Sequence, residues 1–249
     1  MGRLLEVCVD SLASARNAIA GGADRLELCS ALAIGGLTPY AGLLSQIRAE
    51  SSIPIRCLMR PRAGDFLYTQ EEIDLMAGQI CRLKELGADG FVIGCLDAEG
   101  GLDERAMRPL LEAAEGKGLT LHRCIDVSRD PVETYLDAGR MGIDTVLTSG
   151  AAPSSLKGME RIGQLLALQE KQSGPQVLIG AGVNGRVIEA FRSRFPAARQ
   201  FHMSGKTEVE SGMLFRRQDI PMGIPGFDEW HIQLTGRENV AAARAALDA

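Results

Sequence analysis

Eight short apolar runs, near residues 4–9, 25–29, 54–59, 90–94, 119–123, 144–148, 176–180 and 199–203, alternate with amphipathic stretches near 11–21, 39–50, 70–86, 103–116, 131–141, 154–172 and 185–195. Runs of this length read as strands buried on both faces, and the helical periodicity between them as covering helices. Strict alternation predicts a parallel sheet. Eight strands with no Pro/Ser-rich linker and no change of pattern favour an α/β fold of the (β/α)8 TIM barrel type over an open doubly wound sheet. A chain of 249 residues suits one such domain, 1–249. Three segments punctuate the pattern: Gly22-Ala23-Asp24, Gly87-Ala88-Asp89 and Gly142-Ile143-Asp144 each follow a helical stretch and precede an apolar run. A glycine that closes a helix before a short turn is the expected αβ loop. Residues 205–234 break the rhythm, with Met213, Phe215, Met222, Phe227 and Trp230 among glycines and prolines, before a last helical stretch near 236–247. That excursion reads as a packed detour over one end of the barrel, or as a surface for a second subunit.

Charge and hydropathy exclude several classes of function. The formal net charge is −5, which argues against a surface built to neutralise nucleic-acid phosphates. No run approaches the roughly 18 apolar residues that span a bilayer, and Met1-Gly2-Arg3-Leu4-Leu5-Glu6 lacks a long signal-peptide core, so the expectation is a cytoplasmic protein without a membrane partner. The six cysteines (8, 29, 57, 81, 95 and 124) are scattered, none in C-x-x-C spacing, and are expected to be reduced. Zincin, α/β-hydrolase and P-loop signatures are missing.

In a barrel the loops that follow the strands form the active face, so the polar residues near strand C-termini are the candidates. The third apolar run ends in Arg60-Pro61-Arg62-Ala63-Gly64-Asp65-Phe66. An arginine is not neutralised by a pKa shift, so at the edge of an interior it must meet a carboxylate, an anionic ligand or a solvated cleft. Strand parity sets Glu6 and Cys8 against Leu5, Val7 and Val9, and Glu27 and Cys29 against Leu26 and Leu28. In the fifth run His122 and Asp126 share the parity opposite Leu119, Leu121 and Ile125. One connected polar cluster of Glu6, Glu27, Arg60, His122 and Asp126 at the mouth is therefore expected. These groups could supply acid/base chemistry, hold a divalent metal, or form a purely structural ion-pair network.

Strands six to eight end in small residues, at Thr148-Ser149-Gly150, Gly180-Ala181-Gly182 and His202-Met203-Ser204. Barrels commonly hold phosphate there, which makes Ser149, Gly180, Gly182 and Ser204, with Arg62, candidates for anion binding. His202 either completes that pocket or satisfies buried backbone groups.

At these same residues the chain resembles the CutC family. The motifs that carry the likeness are Glu6-Val7-Cys8, Ala23-Asp24-Arg25-Leu26-Glu27-Leu28-Cys29, Gly35-Gly36-Leu37-Thr38-Pro39, Arg60 to Phe66, His122-Arg123 with Asp126, Val146 to Gly150, Gly180 to Val183 and His202-Met203-Ser204. Ala63, Ile34 and Tyr40 depart from the family pattern. The resemblance implies a cytoplasmic, commonly homo-oligomeric TIM barrel with a role in copper homeostasis and, in some members, Cu(I) bound by cysteines matching Cys8 and Cys29. Thiolates suit that soft ion, although two thiols in a barrel also read as small core residues. The alternative is an enzyme acting on a small anionic or phosphorylated metabolite, which explains paired arginines that a cation site does not need.

Overall fold

Local chemistry sets the element boundaries before any tertiary contact does. Ser11, Asp103, Asp130 and Asn184 accept backbone N–H groups at the starts of helices, and Thr69 with Glu72 forms a reciprocal capping box. The computed structural model describes residues 2–172, 174–217, 220 and 228–249. Its elements are β1 (Leu4–Val9), α1 (Leu12–Ala20), β2 (Arg25–Leu28), α2 (Ala41–Glu50), β3 (Ile55–Leu58), α3 (Gln70–Glu85), β4 (Gly90–Ile93), α4 (Glu104–Ala113), β5 (Gly118–Leu121), α5 (Pro131–Arg140), β6 (Thr145–Thr148), α6 (Met159–Gln172), β7 (Gln176–Ile179), α7 (Gly185–Arg194), β8 (Gln200–Met203), β9 (Lys206–Glu210), β10 (His231–Thr235) and α8 (Arg237–Asp248). Strands β1 to β8 pair in sequence order, all parallel, and β8 closes on β1. The barrel expected from the sequence is the fold.

Each Gly-x-Asp segment has a double role. Gly22, Gly87 and Gly142 adopt left-handed φ values of +93°, +94° and +80°, which end the preceding helix without a Cβ clash. The aspartate that follows reaches across the barrel wall: Asp24 accepts the N–H of Leu5 at 2.7 Å, Asp89 that of Ile55 at 2.8 Å and Asp144 that of Leu119 at 2.6 Å. Its own N–H donates back to the carbonyl of the same residue in each case. Strands β1, β3 and β5 are thus clamped at their first or second residue by the loops entering β2, β4 and β6.

The hydrophobic core lies between strands and helices, with Leu5, Val7, Leu26, Leu28, Ile55, Met59, Phe91 and Ile93 facing outward to it. The inside of the barrel holds Glu6, Arg25, Glu27, Arg56, Thr120 and Thr145 with a small apolar patch of Cys29, Leu58 and Val92. Two glycines make this arrangement fit: a Cβ at Gly90 would lie 2.9 Å from Cγ of Arg56, and one at Gly118 only 2.6 Å from its Nη2. All six cysteines are free thiols, and Cys81 alone is exposed.

Two expectations shift. Helix α6 begins at Met159 rather than near 154, because Ser154 and Ser155 form a turn in which Ser155 bonds the Ala181 carbonyl. The excursion contributes an antiparallel pair, β9 with β10, which packs on α1 through Asn17 to the Thr235 carbonyl at 2.9 Å and Thr235 N–H to Ser14 at 3.1 Å. Met213, Leu214 and Phe215 beside it are exposed, and Met222 and Phe227 lie outside the described residues.

Candidate active site at the barrel mouth

The strands deliver their C-terminal residues to a cavity of about 460 Å³. Its walls include Cys8, Glu27, Cys29, Arg60, Phe66, His122, Arg123, Asp126, Gly182, His202 and Ser204. The loops that shape it carry left-handed alanines, Ala31 (φ 50°), Ala151 (φ 55°) and Ala181 (φ 73°), after β2, β6 and β7. A residue with a Cβ in that region stores strain, and such strain gathers where backbone must be placed for function.

At the base of the cavity lies a buried ionic chain. Register sets Glu6 opposite Arg25 on β2 and opposite His202 on β8. The Glu6 carboxylate accepts Nε of Arg25 at 2.5 Å and Nδ1 of His202 at 2.8 Å. His202 Nε2 lies 3.5 Å from the Glu27 carboxylate. Burial alone would raise Glu6, but Arg25 and His202 together hold it down to about 2. Glu27, buried without a comparable partner, is pushed up to about 7, with His202 opposing and Glu6 adding to the rise. Burial disfavours a charged His202, yet the surrounding Cys8, Glu27 and Glu6 outweigh it and raise this imidazole well above its usual value. Cys8 is raised by burial. Glu6 is therefore a permanent anion below the cavity, while Glu27, in its wall, changes charge near neutrality.

The mouth itself is cationic. Arg60 donates from Nη1 to the carbonyls of Ile34 and Gly36, both at 3.1 Å, and from Nη2 to that of Gly64 at 3.0 Å. It sits 5.4 Å over the Phe66 ring, and no carboxylate pairs with it among the described residues. His122 is buried against the same ring, and burial, then the charge of Arg60, push it down to about 3, so it is neutral. Its Nδ1 accepts the Cys124 N–H at 3.2 Å, and its buried Nε2 has no protein partner.

The single cluster expected from the sequence resolves into separate parts. Glu6 is absent from the cavity wall because it lies one pleat below Cys8 and is enclosed by Arg25 and His202. Asp126 lines the cavity but is saturated: it accepts Arg123 Nε, both hydrogen-bond donors of Ser149, the Thr148 hydroxyl and the Ala151 N–H. It positions Arg123 and the β6–α6 loop. The parity argument for it fails because β5 stops at Leu121 and residues Arg123–Val127 form a 3-10 turn. Ser149 is buried within that clamp, turned from the cavity. Gly180 gives its N–H to the Thr148 carbonyl at 2.9 Å, and its missing Cβ makes room for Leu147, so it offers an anion nothing. Arg62 points outward, bonded to Glu72 at 2.6 Å and paired with Asp65 at 3.0 Å, over the Tyr68 ring. Gly182 and Ser204 do reach the cavity. Sequence reasoning missed Arg25, Arg123 and Phe66, although Arg25 shares the inward parity of Glu27 and Arg123 follows His122 directly.

Cys8, Glu27 and His202 offer ligand atoms that lie within 4.8 Å of one another. Cys29 is not in this group; register sets Cys8 opposite Glu27, and the Cys29 thiol donates to the Val9 carbonyl at 3.4 Å.

The sequence profile of the CutC family matches residues 3–207, which takes in all eight barrel strands. This chain belongs to the CutC family. A family protein CutC from Porphyromonas gingivalis is 42% identical over 224 residues, covering 90% of this chain and 89% of that one. One from Vibrio campbellii is 37% identical over 254 residues, covering both chains fully. A solved structure of CutC from Streptococcus agalactiae, described as a copper homeostasis protein, superimposes with a TM-score of 0.75 at 26% identity, over 81% of this chain and 98% of that one. The family match ends within β9, so the β9–β10 pair is mostly outside it.

Proposed function

We propose that the barrel mouth binds a small organic oxyanion and exchanges a proton with it. Arg60 carries this reading: its guanidinium lines the cavity, bonded only to neutral carbonyls, so its charge is left for a ligand. Arg123, 46% exposed and held at the rim by Asp126, adds a second cation. His122 presents Nε2–H as a neutral donor, since its Nδ1 accepts the Cys124 N–H. Glu27, poised at about 7, is the acid/base group, since proton transfer is most effective when the catalytic pKa lies near the working pH. Thermal-shift screening against phosphorylated and carboxylated metabolites tests this. Ligands should stabilise the wild-type chain and Glu27→Gln but not Arg60→Met, and turnover should vanish in Glu27→Gln. Equal stabilisation of Arg60→Met would remove the reading.

A second reading, a cytoplasmic metal-handling protein, rests on the convergence of Cys8, Glu27 and His202 and on the family's association with copper homeostasis. One thiolate, one imidazole and one carboxylate fit a borderline divalent ion such as zinc better than Cu(I), which prefers paired thiolates. When bound, such an ion would supply Lewis acidity beside the anion site. In competition titrations with Cu(I) and Zn(II), Cys8→Ser should lose affinity at least tenfold while Cys81→Ser does not. Cys29→Ser separates the two ions: a large loss for Cu(I) restores the two-thiol site, and no loss supports the mixed one.

A further inference from the structure

The larger cavity of this barrel is at the opposite end from the mouth. A volume of about 810 Å³ opens at the N-terminal ends of the strands, where barrels ordinarily carry only packing. Four arginines line it: Arg3 and Arg140 at the exposed rim, Arg25 and Arg56 from within the barrel. Asp144 is the one carboxylate in its lining, and both its oxygens are taken, by Arg56 at 2.8 Å with Thr145 at 2.5 Å, and by the Leu119 N–H at 2.6 Å. Arg56 is engaged through both Nη atoms, its Nη1 bonded to Thr120 at 2.6 Å and Thr145 at 3.2 Å. Arg140 pairs with Asp137, and Arg3 donates to the Asp248 carbonyl.

Arg25 differs. It is 8% exposed and spends Nε on Glu6, but Nη2 is buried with no protein partner. Gln200, at the start of β8 and in the same cavity wall, has a buried Oε1 that is also unpartnered. Two unsatisfied polar atoms, buried on residues that line one arginine-rich cavity, each carry a desolvation penalty that a ligand drawing them into it would remove. An oxyanion answers both: one oxygen accepts Arg25 Nη2, and with its amide turned over Gln200 donates Nε2 to another.

We propose that this end of the barrel is a second anion site, for a small phosphate or carboxylate group held by Arg25 and Gln200 beneath the Arg3 and Arg140 rim. It is independent of the reading of the mouth, which uses Arg60 and shares no residue with it.

Inorganic phosphate, titrated at constant ionic strength and followed by calorimetry and thermal shift, is the probe. Binding should persist in Arg60→Met, which removes the mouth cation, and weaken at least tenfold in Gln200→Leu. Gln200→Glu supplies the anion internally, so it should raise the Tm of the free protein and remove the phosphate response that persists in Arg60→Met. This variant keeps the test open should an Arg25 substitution fail to fold. If the phosphate response survives in Gln200→Glu but disappears in Arg60→Met, binding is at the mouth and the proposal falls. It falls equally if phosphate changes nothing in the wild-type chain, the result expected when a water bridges Arg25 to Gln200.

Discussion

Two arginines inside the same barrel, Arg56 near its floor and Arg60 at its mouth, meet the problem of buried charge in opposite ways. Arg56 satisfies its guanidinium with two threonine hydroxyls and a carboxylate. Arg60 is fixed as firmly, but by three main-chain carbonyls that carry no charge. In the first case the partners that hold the guanidinium also cancel its Coulomb field; in the second the geometry is held and the field is left over. Arg56 thus builds structure, while Arg60 keeps a field with which to recruit a ligand.

The largest effect should come from breaking compensation. Glu6→Gln leaves Arg25 and His202 buried against a neutral amide, and truncating one partner of a buried ion pair costs about 3–5 kcal/mol. Denaturant unfolding at neutral pH checks it; a loss below about 1 kcal/mol would mean that solvent reaches this chain of charges and that the contrast with Arg60 is false.

Acid sharpens the comparison next. His122 has a folded pKa of about 3 against an ordinary value of 6.5. Between those values the unfolded chain binds the proton and the folded one does not. Its contribution to stability is thus present above pH 6.5 and is lost as the pH falls through 6.5 towards 3. Glu27, raised to about 7, acts with the opposite sign between 4.5 and 7, so the comparison must be made against a variant. Relative to His122→Asn, the wild-type chain should lose up to about 1.4 kcal/mol per pH unit across that window. A pH-independent difference between the two would mean that His122 is open to water.

Smaller in stability but decisive for ligand binding is Arg60→Lys. An ammonium keeps the charge but cannot fork to three carbonyls, so oxyanion affinity should fall about tenfold or more while stability changes by about 1–2 kcal/mol. Unchanged affinity would show that charge alone, without position, does the binding. Least of all, Arg62→Ala should cost under about 1 kcal/mol, because its pairs with Glu72 and Asp65 are partly exposed. A larger loss by thermal melting would place Arg62 with the structural cations.

What the sequence could and could not disclose follows the same division. The strands were legible because their outward faces are aliphatic throughout, and parity correctly turned Glu6, Cys8 and Glu27 inward. Parity names a face but not a depth. Whether Glu6 serves the mouth or the base depends on the stagger between strands, here Glu6 beside Arg25 and His202, and that stagger is a property of the closed sheet. His122 and Asp126 lie past the end of β5, where alternation no longer applies. The Gly-x-Asp repeat was visible as punctuation, but the strand clamp made by its aspartates requires a neighbour that only the fold supplies.

The contact between Glu6 and His202 joins residues 196 positions apart, the first barrel strand to the last. Seen as a step in folding, it is the seam at which the barrel shuts. Extending a loop to that length adds only logarithmically to the entropy of closure, so the separation itself is a modest obstacle. The greater obstacle is that a chain folded only through β4 has placed Glu6 and Arg25 but has no His202, and leaves their charges facing water. Desolvation of the trio and docking of β8 are therefore one event, and half-barrels of this sequence should not persist as stable pieces. The last strand of the barrel completes the ionic centre begun by the first.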